Sequence, residues 1–340
     1  MSKLLAQLPA SLRDVPPALL FPEIFAQDTR HQGFARGGRD AALKVLAAIK
    51  PVTYGRDRSS LEGHVTRLSP YLRHGVLTLA EVRDAALAHA PQTAPSRVWK
   101  YVNELSWRDY SVRVYAEVGD LIWQDFGPYK TGLPSSAYAH EFPADIREGE
   151  TGAACIDAWS RELRETGYLH NRVRMWLASY VVHHRRVWWQ AGASWFITHL
   201  LDGDPSSNNL GWQWVASTWR EYPYLWNRNN LLKYAGDRYC AGCPLADAGC
   251  PFDATYAALS ARLFGGNEAA PGERGHLNPE RLKAVPWEAP PTPEHVPSAV
   301  VWVHGTHDHR LGGRSPRCSV STKVGGPGQI HVPRAFSLPA

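Results

Sequence analysis

The sequence has no run of about 18 apolar residues, the length that a membrane-spanning helix requires. Its first twenty residues, MSKLLAQLPASLRDVPPALL, contain only a short apolar patch, which Arg13, Asp14 and a pair of prolines interrupt. A secretion signal has a longer uninterrupted apolar region and a small-residue cleavage site. We therefore expect a cytoplasmic protein that does not associate with membranes, and we expect a monomer.

Cysteine is scarce and unevenly distributed: there are 5 in 340 residues, an odd number that argues against a disulfide framework and for a reducing compartment. Three of them, Cys240, Cys243 and Cys250, lie within one short segment. Three thiolates that close together are typical of a zinc or iron–sulfur site, which requires a fourth ligand. Cys318 lies far downstream, and we expect it to be a spare thiol.

Strand-like alternation of apolar and polar residues is nearly absent, and no G-x-G-x-x-G follows a hydrophobic strand. Both absences disfavour a Rossmann dinucleotide-binding domain. Helical signals are abundant instead: Thr78 and Glu81 form a capping box, and Ser96 is a candidate N-cap for the segment that follows it. Apolar residues recur at helical spacing over 155–166, 171–190, 193–201 and 253–264.

The fold class predicted from these patterns is all-α, in three stretches. Residues 1–50 form a proline-interrupted helical lead-in, 51–265 a helical domain, and 266–340 a Pro/Gly-rich extension without a specified structure. The chain contains 14 tryptophans, more than an ordinary core requires, which suggests cofactor stacking, base stacking or electron transfer. A formal charge of +5 favours an anionic partner without identifying one.

Two short clusters of polar residues have both a functional and a structural interpretation. Thr66 and Ser69 could hold a phosphate at the start of a helix, although an ordinary capping turn explains them equally well. Glu104, Trp107 and Arg108 share one helix face and could grip a flat polar ligand. The alternative is a surface ion pair over a half-buried tryptophan.

A third cluster, within 166–218, is more specific. His170, Asn171 and Arg174 share a helix face, and the Asp202-Gly203-Asp204 loop follows them. Polar groups at this density inside an apolar frame are costly unless they have partners. Asn208 and two nearby tryptophans, Trp212 and Trp214, complete the cluster.

Together the motifs TRLSPYL, ELSWR, GYLHNRVRM and DGDPSSNNLGWQW, in this order over roughly residues 50–220, resemble the FAD-binding domain of DNA photolyases and cryptochromes. The resemblance implies that FAD is held by ten residues: Tyr54, Thr66, Leu68, Ser69, Arg108, Asn171, Arg174, Asp202, Asp204 and Asn208. In that assignment Arg174 pairs with Asp202, and Asn208 faces flavin N5.

The same resemblance implies a lyase that uses light and reduced FAD to split cyclobutane pyrimidine dimers in UV-damaged DNA, single- or double-stranded. The groups around the flipped-out dimer would be Glu104, Trp107, Met175 and Trp214. Trp212 and Trp189 would be the inner members of the electron-transfer chain that reduces the flavin. The outer position falls near 136–138, where there is no tryptophan, and the candidates for it are Tyr138, Trp188 and Trp195.

Two departures indicate a subgroup. The first FAD motif starts near residue 54, which implies a short relative without the N-terminal α/β antenna domain. The run after the tryptophans, STWREYPYLWNRNNLLKYAGDRYCAGCPLADAGCPF, departs from the common family ending. Its C-x-x-C…CPF pattern resembles that of a subgroup of photolyase relatives with an iron–sulfur cluster, which implies a [4Fe–4S] site at Cys155, Cys240, Cys243 and Cys250, with zinc as the alternative. The alternative functions are a cryptochrome-like photoreceptor without repair activity and a flavin-free helical zinc protein that binds nucleic acid.

Overall fold

The computed structural model describes residues 35–92 and 94–265, and these residues form α-helices and short turns. The helices are α1 Arg39–Ala47, α2 Pro51–Asp57, α3 Ser69–Arg73, α4 Leu79–Ala88, α5 Trp99–Val118, α6 Ala144–Glu148, α7 Ala154–Thr166, α8 Asn171–Ser179, α9 Trp189–His199, α10 Pro205–Ala216, α11 Arg228–Ala235, α12 Leu245–Ala248 and α13 Tyr256–Phe264. Within the described ranges there is no β-strand, and a single β-bridge joins Ala139 to Val187. The all-α prediction is confirmed.

The start of α4 follows the predicted capping box. The Thr78 side chain accepts a hydrogen bond from the Glu81 amide at 3.1 Å, and the Glu81 carboxylate accepts one from the Thr78 amide at 2.8 Å. The prediction for Ser96 is wrong. A 3₁₀ turn, Pro95–Val98, precedes α5, so Ser96 lies inside that turn and its side chain caps nothing. The proline begins the tighter turn because its ring fixes φ.

The helix predicted over 171–190 is interrupted. After α8 the chain forms a π-helical turn, Tyr180–His184, and α9 starts only at Trp189. Arg186 adopts a positive φ of 50°, a conformation that a helix cannot contain. The chain there leaves the helix so that the Trp188 amide can donate to the Ala139 carbonyl at 2.9 Å.

Two hydrophobic cores position the polar residues. The larger one packs α7 to α11 around fully buried tryptophans, and its centre is formed by Trp159, Trp176 and Trp226 with ring centroids 5.5–5.8 Å apart. The smaller one gathers apolar residues of α1, α3 and α4. Much of the tryptophan content is thus structural, as large buried aromatic side chains contribute heavily to core stability.

No described helix is long and apolar enough to cross a membrane. The predicted extension at 266–340, Cys318 and most of the predicted lead-in lie outside the described residues.

Candidate functional site

A buried carboxylate and a guanidinium lie at the centre of the site. Arg174, on the first turn of α8, donates to the Asp202 carboxylate at 3.0 Å. Burial would raise the pKa of Asp202, but the charge and hydrogen bond of Arg174, with smaller effects of Ser69 and Arg108, hold it below its usual range. Asp202 is therefore an anion inside the protein, as the predicted pairing requires.

The second carboxylate of the loop, Asp204, has two structural tasks. As the N-cap of α10 it accepts hydrogen bonds from the amide and the hydroxyl of Ser206 at 3.0 and 2.7 Å. Its other oxygen accepts from Arg108 at 3.2 Å. Pro205 at the first helical position fixes the φ that α10 needs there. The loop is thereby locked against α5.

The residues predicted to hold FAD near the start of the chain lie on α2 and at or just before the start of α3, and Ser69 among them lies close to the Asp202–Asp204 loop. Tyr54 packs edge-on against Tyr101 with ring centroids 4.9 Å apart, and the Tyr101 hydroxyl donates to Thr66 at 3.4 Å. Ser69, on the first turn of α3, is near enough to Asp202 to lower its pKa. The side chain of Leu68 is 2% exposed and packs in the smaller core.

Arg67 has a backbone conformation that is uncommon for a residue with a side chain. Its φ is +52°, and its guanidinium lies 5.0 Å above the ring of Tyr168, where Arg174 also approaches at 5.8 Å. A positive φ at a long side chain costs roughly 1 kcal/mol and is found mainly where the fold requires a particular direction of the chain. The guanidiniums of Arg67 and Arg174 thus both lie within 6 Å of the Tyr168 ring centroid, and two cations close to one ring could bind a phosphate.

These residues fit FAD by the groups they present. The Asp202 oxygen Oδ1 is buried and forms no hydrogen bond, an expensive condition that a ligand donor would relieve. FAD carries such donors on its ring and on its ribityl hydroxyls, and its phosphates match the arginines. Asn208 gives both amide hydrogens to the Ala193 carbonyl and to Asn209, each at 3.1 Å. Its carbonyl is then the group available to a ligand N–H.

The residues predicted to contact DNA lie on α5, α8 and α10. Glu104 forms ion pairs with Arg58 at 3.2 Å and Lys100 at 2.8 Å. Trp107 is 53% exposed, which is unusual for an indole of a soluble protein. Glu104 therefore does form the surface ion pairs of the structural interpretation, but these pairs do not explain why the indole of Trp107 is exposed.

Met175 and Trp214 are both partly buried against the larger core. The Asn171 amide lies 3.9 Å from the Met175 sulfur. The guanidinium of Arg220 lies 4.0 Å above the Trp214 ring. Sequence reasoning missed three cations in this region, Arg58, Lys100 and Arg220. Only Lys100 had a sequence signal, its spacing of four residues from Glu104 on one helix.

The predicted electron-transfer residues differ in exposure. Trp212 and Trp189 are fully buried, and Trp189 donates to Asp125 at 2.6 Å. Of the outer candidates, Tyr138 is 3% and Trp195 6% exposed. Trp188 is only half-buried and stacks on His140 with ring centroids 3.5 Å apart.

The four cysteines predicted as ligands are all free thiols, with Cys155 buried on α7 and the other three partly exposed. The pKa of Cys155 is raised, chiefly by burial and further by the charges of Cys250, Cys243 and Cys240, so the four thiols are electrostatic neighbours. In the described part of the chain, however, no three Cys, His, Asp or Glu side chains are grouped so that they could hold a metal ion.

Comparison with known proteins agrees with this geometry. Residues 101–232 match the family described as FAD binding domain of DNA photolyase. The deoxyribodipyrimidine photo-lyase of Streptomyces griseus is 35% identical over 190 residues, which are 55% of this chain and 40% of that protein. That of Escherichia coli is 35% identical over 173 residues, 48% of this chain and 34% of the relative.

The all-α fold of residues 101–232 matches the helical fold of the photolyase FAD-binding domain. The crystal structure of a class III photolyase from Agrobacterium tumefaciens superposes with a TM-score of 0.52 at 26% identity, over 60% of this chain and 44% of that one. A cryptochrome from Synechocystis has the same TM-score, 0.52, at 22% identity over 72% of this chain and 49% of its own, and shows the fold alone. The chain thus spans about two-fifths of the length of the curated relatives it matches.

Proposed function

We propose that the protein is a light-driven lyase that splits cyclobutane pyrimidine dimers in UV-damaged DNA, an activity that the name deoxyribodipyrimidine photo-lyase states for its relatives. The observation that carries the proposal is the contact between Arg108 and Asp204, with Trp107 exposed beside it. This contact holds the Asp202–Asp204 loop, which is predicted to bind the flavin, against α5 close to the exposed indole of Trp107. A flavoprotein that acts on no external aromatic group has no need to expose that indole.

The side chains divide the work. Reduced FAD, when bound, would lend the dimer an electron after light is absorbed and take it back once the cyclobutane ring has split. Trp107 and Trp214 offer flat faces to the two thymines, and the Glu104 carboxylate accepts a hydrogen bond from a thymine imide N–H. Arg58 and Lys100 stand beside that carboxylate, so it remains oriented when no DNA is bound. Extrusion of a damaged pair costs a few kcal/mol, less than for intact bases, which contributes to selectivity.

Asn208 tunes the flavin in this proposal. Because its amide hydrogens are held by Ala193 and Asn209, its carbonyl can accept from the N–H that reduced flavin carries at N5. An acceptor at this position favours the protonated N5. An Asn208→Asp variant would keep the acceptor but add a negative charge, and we expect it to lower the flavin reduction potential.

The test is illumination of the reduced full chain with a dimer-containing oligonucleotide, single- and double-stranded, with release of intact thymines as the readout. Glu104→Gln should lose most of the activity and retain FAD. Glu117→Gln, on the exposed face of the same helix, is the matched control. Failure of the wild type to regenerate thymine on either substrate would overturn the lyase. Flavin photoreduction without repair would then favour a cryptochrome-like photoreceptor.

The four cysteines support a separate proposal, a [4Fe–4S] cluster that fastens the loop after α11 to α7. The support is four neighbouring thiols of which none forms a disulfide. Four cysteine thiolates are the usual ligands of a [4Fe–4S] cluster, and zinc, which also binds four cysteines, is the alternative. Iron and zinc assays after anaerobic purification decide between them. Cys243→Ser should lose the metal, and Cys318→Ser should not.

A further inference from the structure

A row of aromatic rings extends away from Trp107 along the surface, and it is here called the aromatic ridge: Trp107, Tyr110 and Phe126, which are exposed, and Trp219, which is partly exposed. Trp107 meets Tyr110 edge-on at 5.8 Å, and Trp219 lies 6.0 Å from both Tyr110 and Phe126. Trp107, Tyr110 and Phe126 are 53%, 44% and 37% exposed. Contiguous exposed aromatic surface of this kind is rare on a soluble protein unless it binds a partner.

The ridge is built on fixed elements. Two rings come from α5, while the other two lie on segments tied to the C-terminal end of α10. The Phe126 amide donates to the Gln213 side chain at 3.0 Å, and the Lys130 amide donates to Ser217 at 2.8 Å. Ser217 ends α10 with a positive φ of 72°, which turns the chain so that Trp219 follows at the surface. The rings are therefore held in place before any partner binds.

A guanidinium without an anion accompanies the ridge. Arg220, next to Trp219, has a buried Nη1 that forms no hydrogen bond among the described residues, and burial lowers its pKa. It lies over Trp214, one of the two indoles assigned to the dimer. A partly buried cation of this kind is stabilised when an anion such as a phosphate reaches it.

We propose that the aromatic ridge is a stacking surface for the unpaired bases that flank the dimer on the same strand, with Arg220 contacting the intervening phosphate. The inference rests on the proposed function. Single-stranded DNA is the occupant that fits both observations, since successive bases stack on aromatic side chains while cations follow the backbone. The continuity of the ridge with Trp107 sets the direction in which the strand leaves the lesion site.

The experiment compares affinities of the FAD-loaded full chain for three probes: the bare thymine dimer dinucleotide, a single-stranded oligonucleotide with a central dimer, and the same oligonucleotide undamaged. Trp219→Ala should weaken binding of both oligonucleotides roughly tenfold, because stacking on one ring is worth ~1–3 kcal/mol. It should leave the dinucleotide affinity unchanged. Tyr110→Ala should give the same pattern, and Trp219→Phe should restore most of the affinity.

Trp99→Ala is the matched control, since Trp99 is 59% exposed on α5 but outside the ridge. If Trp219→Ala weakens the affinity for the dinucleotide and the oligonucleotides equally, or weakens neither, the proposed role of the ridge is wrong. It is also wrong if the wild type is a dimer that Trp219→Ala converts to a monomer, because the ridge would then bind a second copy. If the wild type binds damaged and undamaged oligonucleotides with equal affinity, the proposed recognition of the dimer is wrong. The effect of Trp219→Ala on oligonucleotide affinity, compared with its effect on dinucleotide affinity, still tests whether the ridge binds flanking bases.

Discussion

Arg108 and Asp204, which are 96 residues apart in the sequence, meet at 3.2 Å and join α5 to the N-terminus of α10. The side chains are 16% and 8% exposed, so the pair is largely shielded from water. Because Asp204 also caps α10, the same carboxylate orients the helix that carries Trp212 and Trp214. A single contact therefore fixes the flavin loop relative to the proposed DNA-binding face.

Substitution of Asp204 should separate its two tasks. Asp204→Ala removes the cap and leaves Arg108 without its partner, and we expect it to lower the free energy of unfolding by about 2–4 kcal/mol. Asp204→Asn keeps a capping oxygen, so its loss should be about 1 kcal/mol smaller. Urea denaturation with flavin absorbance measures both stability and cofactor retention.

The control for that experiment is the exposed pair Asp109–Arg113 on the same helix, at 2.7 Å. Exposed pairs contribute 0–1 kcal/mol, so Asp109→Asn should change stability by less than about 0.5 kcal/mol. An equal effect of Asp109→Asn and Asp204→Asn would contradict the importance of the shielded contact.

Close packing of α9 on α10 makes Gly192 sensitive. A Cβ at Gly192 would lie 2.2 Å from the ring of Trp212, a distance that real side chains do not adopt. Gly192→Ala should therefore cost about 1–3 kcal/mol and displace Trp212, which slows flavin photoreduction. Gly211→Ala is the matched control, because a Cβ there meets nothing within 4 Å and helix propensity improves. Thermal unfolding of the two variants should shift in opposite directions.

The sequence predicts those features that depend only on residues close together in the chain. The capping box at Thr78 is complete within four residues, so the sequence contains all of it. Ser96 was misjudged because Pro95 favours a 3₁₀ turn, and the break before Trp189 depends on a bridge to Ala139, which is distant in sequence. Contacts made only by the tertiary fold, such as that of Arg58 with Glu104, have no sequence signal at all.

The outer position of the electron-transfer chain should be occupied by Trp188. It is the only one of the three candidates that is not almost fully buried, and an outer relay must exchange charge with solvent. Trp188→Phe should markedly slow the bleaching of oxidised flavin under blue light with an external reductant, whereas Tyr138→Phe and Trp195→Phe should leave the rate near that of the wild type. If all three substitutions slowed the bleaching equally, electrons would reach the flavin by more than one route from the surface.

Two adjacent histidines of the π-helical turn should make the protein acid-sensitive. Burial lowers the pKa of His183 to about 4 and that of His184 to about 3, with Arg262 adding to the effect on His184. Both are neutral in the folded protein: His183 bonds to the Val215 carbonyl at 2.9 Å, and His184 packs on Phe252.

In the unfolded chain a histidine binds a proton below about pH 6.5, so the unfolded state gains protons first as the pH falls. The stabilisation is complete above that pH and is lost progressively towards pH 3–4, with up to about 2 kcal/mol per histidine gone at pH 5. His184→Phe, which keeps the aromatic contact, should reduce the difference in urea midpoint between pH 8 and pH 5, while His89→Gln at the surface should not. An unchanged difference in His184→Phe would show that His184 is protonated in the folded state.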